Sequence, residues 1–200
     1  MNIFFILLIS IISYGIGSIQ IGTLTSKIFY KIDVRDFGSK SSGATNINRV
    51  IGWKPGVVVL ILDIFKGLIP ILTTKSIFTD EIYSIIACSF LVLGHCFPVF
   101  HKFKGGKGIA TGFGSVIVLV PYIFIGLPIS LPIIYYTKFV SLGSIVGCLI
   151  TIIIISLLVL IGPLSLEYLI LLLIPLLIIF QHRGNIMRLV NKNENKIFDK

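Results

Sequence analysis

The stretch Ile109-Ala110-Thr111-Gly112-Phe113-Gly114-Ser115-Val116-Ile117-Val118-Leu119-Val120-Pro121-Tyr122-Ile123-Phe124-Ile125-Gly126-Leu127-Pro128-Ile129-Ser130-Leu131-Pro132-Ile133-Ile134 decides how often this chain crosses a membrane. It is apolar throughout but interrupted by Pro121, Gly126, Pro128 and Pro132. Taken alone it reads either as one kinked helix or as two short, tilted spans. Charge outside the stretch chooses between them, because Lys and Arg favour the cytoplasmic side. Basic residues cluster in 27–54, in 102–107, at Lys138 and in the tail 183–200. One crossing would put Lys138 opposite the 102–107 loop and leave either the tail or the first basic loop outside. Two crossings put all four basic segments on one side, with only 73–81 and 162–167 opposite. The expected fold is an all-α integral membrane protein of seven transmembrane helices, some short or broken. Its N-terminus lies outside, its C-terminus inside, and residues 1–200 form a single polytopic membrane domain.

Composition supports the class. Of the 200 residues 56% are hydrophobic and 12% charged, and the mean hydropathy is +1.04. The first twenty-odd residues lack a basic n-region and a small-residue cleavage site, so they read as a retained span rather than a signal peptide. A formal charge of +9 could point to nucleic acid. The cations lie in short loops between apolar runs, however, so membrane lipid and anionic substrates are the expected partners, and no nucleic acid. Cys88, Cys96 and Cys148 sit in apolar surroundings without CxxC spacing, which predicts neither a disulfide framework nor a zinc site.

Outward from the deciding stretch, the remaining spans are 3–21, about 52 or 55 to 72, 82–100, 142–161 and 164–179. The last two are joined at Gly162-Pro163. Gly15, Gly17, Ser18 and Gly22 are small residues of the kind that let helices approach closely in lipid. The second span carries Asp63 and Lys66, costly groups in hydrocarbon. At i, i+3 they can neutralise each other, or one of them can serve in chemistry.

Immediately before the deciding stretch, residues 94–108 hold three lysines, two histidines and four glycines. Gly105, Gly106 and Gly108 let backbone N–H groups approach a ligand and adopt positive φ. Such N–H groups can form an anion-binding nest, to which Lys104 and Lys107 add full charges. The apolar run from Ile109 predicts a helix whose N-terminus also favours a phosphate. It is not a Walker A loop, because position 101 is His and 108 is Gly. A basic loop touching anionic head groups is the other reading. The glycines favour a bound phosphate, since lipid attraction needs only charge.

Three more polar clusters are expected on the same side. Residues 37–49 are rich in glycine, hydroxyls and amides, with Arg49 at the end, and a surface linker could share that composition. Ser141 and Ser144 open the sixth span, where they could be helix caps. His182, Asn185 and Arg188 recur at i, i+3, i+6 at the end of the last span, near one face if the helix continues. Cations there also complement the helix dipole, which leaves Asn185 unexplained. No paired carboxylates, Ser-His-Asp order or metal-ligand set is present. The constellation suits the holding and orienting of anionic, phosphorylated groups.

These residues carry a family resemblance. Gly17-Ser18-Ile19, Gly38-Ser39 with Gly43-Ala44-Thr45-Asn46 and Arg49, and Asp63-x-x-Lys66-Gly67 occur in the family's order. So do Gly94-His95-x-Phe97-Pro98-x-Phe100-x-x-Phe103-Lys104-Gly105-Gly106-Lys107-Gly108-x-Ala110-Thr111, Ser141-x-x-Ser144 and His182-Arg183-x-Asn185-Ile186-x-Arg188-Leu189. Together they resemble the bacterial acyl-phosphate:glycerol-3-phosphate acyltransferases. The resemblance implies transfer of a fatty acyl group from acyl phosphate to the 1-hydroxyl of glycerol 3-phosphate, giving lysophosphatidic acid and phosphate. It implies no cofactor, and a seven-helix fold in the bacterial cell membrane with the site on the cytoplasmic side. By motif, Lys104, Gly105, Gly106, Lys107 and Gly108 would hold substrate phosphate with Asn46 and Arg49. Ser39, His182 and Asn185 would be the catalytic residues that orient the substrates, helped by Ser141 or Ser144, and a substrate phosphate would take the hydroxyl proton. The chain departs from the family twice: Gln20 replaces the usual Pro, and Gly38-Ser39-Lys40-Ser41 replaces Gly-Ser-Gly-Asn.

A transporter of small organic anions is the competing class, because Asp63, Lys66 and broken helices at 121–132 would suit one. Against it, the polar clusters crowd one face and no inverted repeat is visible. A lipid-binding scaffold without catalysis is the third reading.

Overall fold

The computed structural model describes residues 2–197, and every regular element among them is helical. Lys200, the last cation of the basic tail, lies outside the described residues. The chain divides into two compact units, Met1–Leu119 and Val120–Lys200.

The first unit holds α1 (Ile3–Gly17), α2 (Ile21–Tyr30), α3 (Ala44–Val50), α4 (Trp53–Ile77), α5 (Glu81–Cys96) and α6 (Ile109–Leu119). Small residues let these helices touch backbone to backbone, as hydrocarbon surroundings require. Where α1 meets α5, a Cβ on Gly17 would lie 2.1 Å from Leu91 O, and one on Gly94 would lie 2.3 Å from Tyr14 O. Where α4 meets α6, the same holds for Gly67 against Thr111 O (2.2 Å) and Gly114 against Ile64 O (2.1 Å). Gly15, expected to share this role, has nothing within 4 Å. Val34, Ile47 and Val59 are fully buried and form an apolar plug with Ile21, Ala44, Val50 and Ile51 beneath the loop between α2 and α3. Large apolar side chains such as Ile3, Leu7, Ile11, Phe65 and Ile69 face outward, as lipid-exposed helices demand.

The second unit holds α7 (Leu127–Thr137), α8 (Val140–Leu160), α9 (Leu173–Gln181) and α10 (Arg183–Val190). Two 3₁₀ segments, Pro121–Gly126 and Leu166–Leu172, lead into α7 and α9. Gly162 sits at φ +95° in the turn after α8, a left-handed backbone that glycine adopts without cost.

Four helical segments are long and apolar enough to cross a membrane: Ile3–Tyr30, Trp53–Ile77, Glu81–His101 and Val140–Leu160. Leu166–Gln181 with Arg183–Val190 makes a fifth if that bent pair is one span. This is a multi-pass membrane protein. Residues 109–134, the deciding stretch, are not one continuous helix: α6 ends at Leu119, and a 3₁₀ segment starts at Pro121. At 1.5 Å per residue α6 is about 16 Å long, well short of the hydrocarbon thickness. The expected first span also differs. The helix stops at Gly17 and restarts at Ile21, leaving carbonyls that need partners inside the protein.

Candidate functional site

Lys66 supplies those partners. Its Nζ donates to Ile19 O (2.8 Å) and Gly17 O (3.3 Å) at the break, and pairs with Asp63 Oδ1 at 3.1 Å. The side chains of the pair are only 6% and 3% exposed, so each charge depends on the other and on these carbonyls. The expected i, i+3 self-neutralisation is present, and a third group joins it. Lys66 Nζ lies 2.9 Å from His95 Nδ1, and Thr111 Oγ1 lies 3.1 Å from the same nitrogen. An ammonium can only donate, so Nδ1 accepts and the neutral ring carries its proton on Nε2. The fully enclosed pair thus stitches the broken first span, α4, α5 and α6 together.

The glycine-lysine loop sits on this base. His95 O accepts from Gly106 N (3.2 Å), and α6 begins at Ile109 as expected. A Cβ on Gly105 would lie 2.2 Å from His95 O, and one on Gly106 would lie 2.2 Å from His95 Nε2. These two glycines are therefore required by space. Only Gly108, at φ +86°, has the expected positive φ; in this loop Lys102 and Phe103 also adopt it, at +54° and +58°. Nor does the Gly106 N–H face outward as a nest donor, being directed at His95. Lys104 is exposed, Lys107 half-buried, and Gly106 and Gly108 are buried.

The 37–49 segment is not a slack linker. Asn46 is buried, and its Nδ2 is within hydrogen-bond distance of Val34 O (3.0 Å), Phe37 O (3.1 Å) and Ser41 O (2.8 Å). Its Oδ1 accepts from Ser39 N at 2.9 Å. Both ends of the amide are committed to the loop's own backbone, so Asn46 shapes the loop and sets Ser39. Arg49, half-buried, lies on the last turn of α3. Asp33 anchors the same segment by a bidentate pair with Arg35 (2.9 and 2.6 Å) and a contact with Lys27 (3.0 Å). The Arg35 hydrogen bonds hold its carboxyl well below the usual carboxylate range.

Gln20, one of the two departures, joins the two loops. Its Nε2 donates to His95 O at 3.0 Å, and its Oε1 accepts from Ser42 Oγ at 2.5 Å. The carbonyl that holds Gly106 is thus also held from the serine-rich loop, and Gln20 is fully buried there.

The second unit has its own polar cluster. Ser141 and Ser144 are not helix caps: α8 starts at Val140 after Phe139, and both serines are buried in its first turns. His182 is buried at a 51° bend between the Leu166–Gln181 segment and α10, and its Nδ1 lies 2.8 Å from Ile178 O. A carbonyl only accepts, so Nδ1 carries a proton. Asn185 and Arg188 do share a face despite the bend. Both reach a residue that the sequence did not single out: Glu194 accepts from Asn185 Nδ2 (2.5 Å), Arg188 Nε (2.8 Å) and Ser141 Oγ (2.9 Å). Cys88, Cys96 and Cys148 are all buried, and none of them is in a disulfide.

Comparisons with known proteins agree on one family. A family model described as glycerol-3-phosphate acyltransferase matches residues 7–192. A Finegoldia magna protein of that name is 39% identical over 199 residues, covering 98% of each chain. One from Listeria monocytogenes is 40% identical over 197 residues, covering 96% of each. The crystal structure of PlsY (YgiH), an integral membrane glycerol 3-phosphate acyltransferase, matches with a TM-score of 0.85 at 36% identity in its glycerol 3-phosphate form, over 96% of this chain and 94% of that one. Its lysophosphatidic acid form matches at 0.82. At these identities and coverages, the chain belongs to the glycerol-3-phosphate acyltransferase family.

Proposed function

We propose that this protein transfers a fatty acyl group from acyl phosphate to the 1-hydroxyl of glycerol 3-phosphate. The hydroxyl oxygen attacks the acyl carbonyl carbon, the carbon–oxygen bond to phosphate breaks, and lysophosphatidic acid and inorganic phosphate leave. The proton lost from the hydroxyl goes to a substrate phosphate. The observation that carries this reading is the Lys104–Gly108 loop, set at the start of α6 and seated on His95 by contacts that only glycine allows. Lys104, Lys107 and the α6 N-terminus would offset phosphate charge, with Arg49 assisting. Ser39, set by Asn46, would orient a substrate, as would Ser141, Ser144, His182 and Asn185. Acyl transfer between two phosphorylated substrates needs positioning and charge stabilisation more than a protein nucleophile.

The chain acts as a single polytopic domain of seven spans in a bacterial cell membrane, N-terminus outside and active site cytoplasmic. The basic loops support this orientation. The test is direct: purified protein in bilayers, given acyl phosphate and glycerol 3-phosphate, should yield lysophosphatidic acid and phosphate in equal amounts. Product that forms with acyl-CoA but not with acyl phosphate would refute the donor. No product from either would refute the activity.

A further inference from the structure

Buried Asn46 fixes the backbone on both sides of one exposed cation. Its Nδ2 meets Phe37 O and Ser41 O, and its Oδ1 takes the N–H of Ser39. Lys40 N closes the turn onto Phe37 O at 3.0 Å. Lys40 itself is left between these tied positions at φ +56°, the left-handed region that a side chain makes unfavourable. It is exposed, and it is the one charged residue among positions 37–48.

Four other lysines share this backbone conformation, at 31, 102, 138 and 192. Lys31, Lys102 and Lys138 each cap the C-terminus of a helical segment, and Lys192 follows the cap of α10. A left-handed residue ends a helix, and a cation there complements its dipole. Neither reason applies to Lys40, which lies between the 3₁₀ turn at Val34–Asp36 and α3 and closes no helix. Among the described residues Lys40 joins no ion pair, and the nearby Asp33 carboxylate is held by Arg35 and Lys27. The charge of Lys40 thus serves neither a helix end nor a salt bridge. Left-handed strain at a non-glycine residue is kept where its side chain is of use.

A lysine beside Ser39 acts on what approaches that serine from water. An exposed ammonium attracts a dianion over a distance set by salt, about 30 Å at 0.01 M and about 3 Å at 1 M. Of the two substrates, glycerol 3-phosphate has no acyl chain and arrives from water, whereas acyl phosphate arrives with its chain in the membrane.

We propose that Lys40 is a capture residue for the phosphate of glycerol 3-phosphate, concentrating this substrate at Ser39. This rests on the reading that Ser39 serves in acyl transfer from acyl phosphate to glycerol 3-phosphate.

The test uses full-length K40G, K40Q and K40R in neutral bilayers, with glycerol 3-phosphate and acyl phosphate varied separately. At about 0.01 M salt, K40G and K40Q should lower kcat/KM for glycerol 3-phosphate about threefold to tenfold, through KM, and K40R should match wild type. At about 1 M salt all four proteins should agree. The KM for acyl phosphate should stay within about twofold throughout. K40G also frees the backbone, so its unfolding midpoint should equal or exceed that of wild type while its activity falls. A purely structural role would not give that split. Full kcat/KM in K40G at low salt would overturn the proposal. A loss that high salt leaves in place would make Lys40 a shape element of the loop. A difference from wild type seen only when anionic lipid is added would make it a head-group contact. No lysophosphatidic acid from the wild type at any salt would overturn the proposed activity instead.

Discussion

The glycine-lysine loop of the first unit and the Glu194 cluster of the second are both buried polar constructions, but they are held in different ways. The loop is held mainly by main chain: His95 O takes both Gly106 N and Gln20 Nε2, and glycines at 105 and 106 leave no room for a Cβ. The cluster is held by side chains, all converging on one carboxylate from the tail. A main-chain scaffold tolerates little change in shape and much change in charge; a side-chain scaffold has the reverse sensitivity. Substitutions that alter one property at a time can break or sharpen this contrast.

The largest effect is expected at Gly106. A single methyl would press on His95 Nε2 at 2.2 Å without changing any charge. Gly106→Ala should cost about a hundredfold or more in kcat/KM, whereas Gly15→Ala, with open space around it, should leave turnover unchanged. Lys107→Ala removes charge but not shape, and should raise the KM for a phosphorylated substrate by about tenfold to a hundredfold. A silent Gly106→Ala, together with restoration of Lys107→Ala by anionic lipid, would return the loop to a head-group contact.

Beneath the loop, the Asp63–Lys66 pair is expected to act on stability. Lys66→Met strands a buried carboxylate and the Gly17 and Ile19 carbonyls, and should destabilise by about 3–5 kcal/mol. Adding Asp63→Asn should recover part of the loss, as read by thermal unfolding in detergent. A Lys66→Met midpoint equal to wild type would mean the pair does not hold the junction. In the structure the pair is enclosed by carbonyls, His95 and Thr111, which favours a structural junction over the ion path that Asp63 and Lys66 suggest in sequence.

In the second unit, His182 occupies the bend before α10, so its loss bears on the side-chain scaffold. His182→Ala should lower kcat by about tenfold with the unfolding midpoint nearly unchanged. A lowered midpoint at full turnover per folded molecule would make it a hinge residue only.

How much of this could be read in advance depended on whether partners were local. Asp63 and Lys66 lie one turn apart, so their pairing was legible. The run Lys104–Gly108 was legible as a unit, although its glycines turned out to be needed for clearance, which depends on His95 nine or more positions away. Positive φ at Lys102 and Phe103 left no signal, since neither residue type favours it. Residues 3–21 read as one span because hydropathy does not register a break whose carbonyls are satisfied by a lysine from another helix. Glu194 was hidden for the same reason: it is a lone acid in a basic tail, and its Ser141 partner is 53 positions away. Gln20 was visible only as a departure from the family, not as a link.

That link defines a smaller effect. Gln20→Ala removes the bond to His95 O and leaves the Ser42 hydroxyl without its acceptor, about 1–2 kcal/mol in all. Turnover should fall severalfold. Gln20→Glu keeps an acceptor for Ser42 but has no donor for His95 O, so it should match Gln20→Ala if the loop bond matters and wild type if it does not.

The smallest effect lies at the edge of the main-chain scaffold, where Asp33 ties the start of the serine-rich loop to Arg35 and Lys27. Folding lowers the pKa of this carboxyl, because the Arg35 hydrogen bonds favour the charged form. The unfolded chain therefore binds this proton more readily than the folded chain does. The stabilisation is fully present above the unfolded value of about 3.9 and is lost as pH falls through the lower folded value. Asp33→Asn keeps an oxygen to accept from Arg35 N, the contact that caps the 3₁₀ turn at Val34–Asp36, but removes the charge. Near neutral pH the variant should be less stable by about 0.5–1 kcal/mol, a partly exposed ion pair being modest. Unfolding midpoints of the two proteins should converge as pH drops below about 4, since other carboxylates titrate in both and cancel. Equal midpoints near neutral pH would mean Asp33 acts through its cap alone, which the variant keeps, and that this edge of the loop, like its centre, depends on shape rather than on charge.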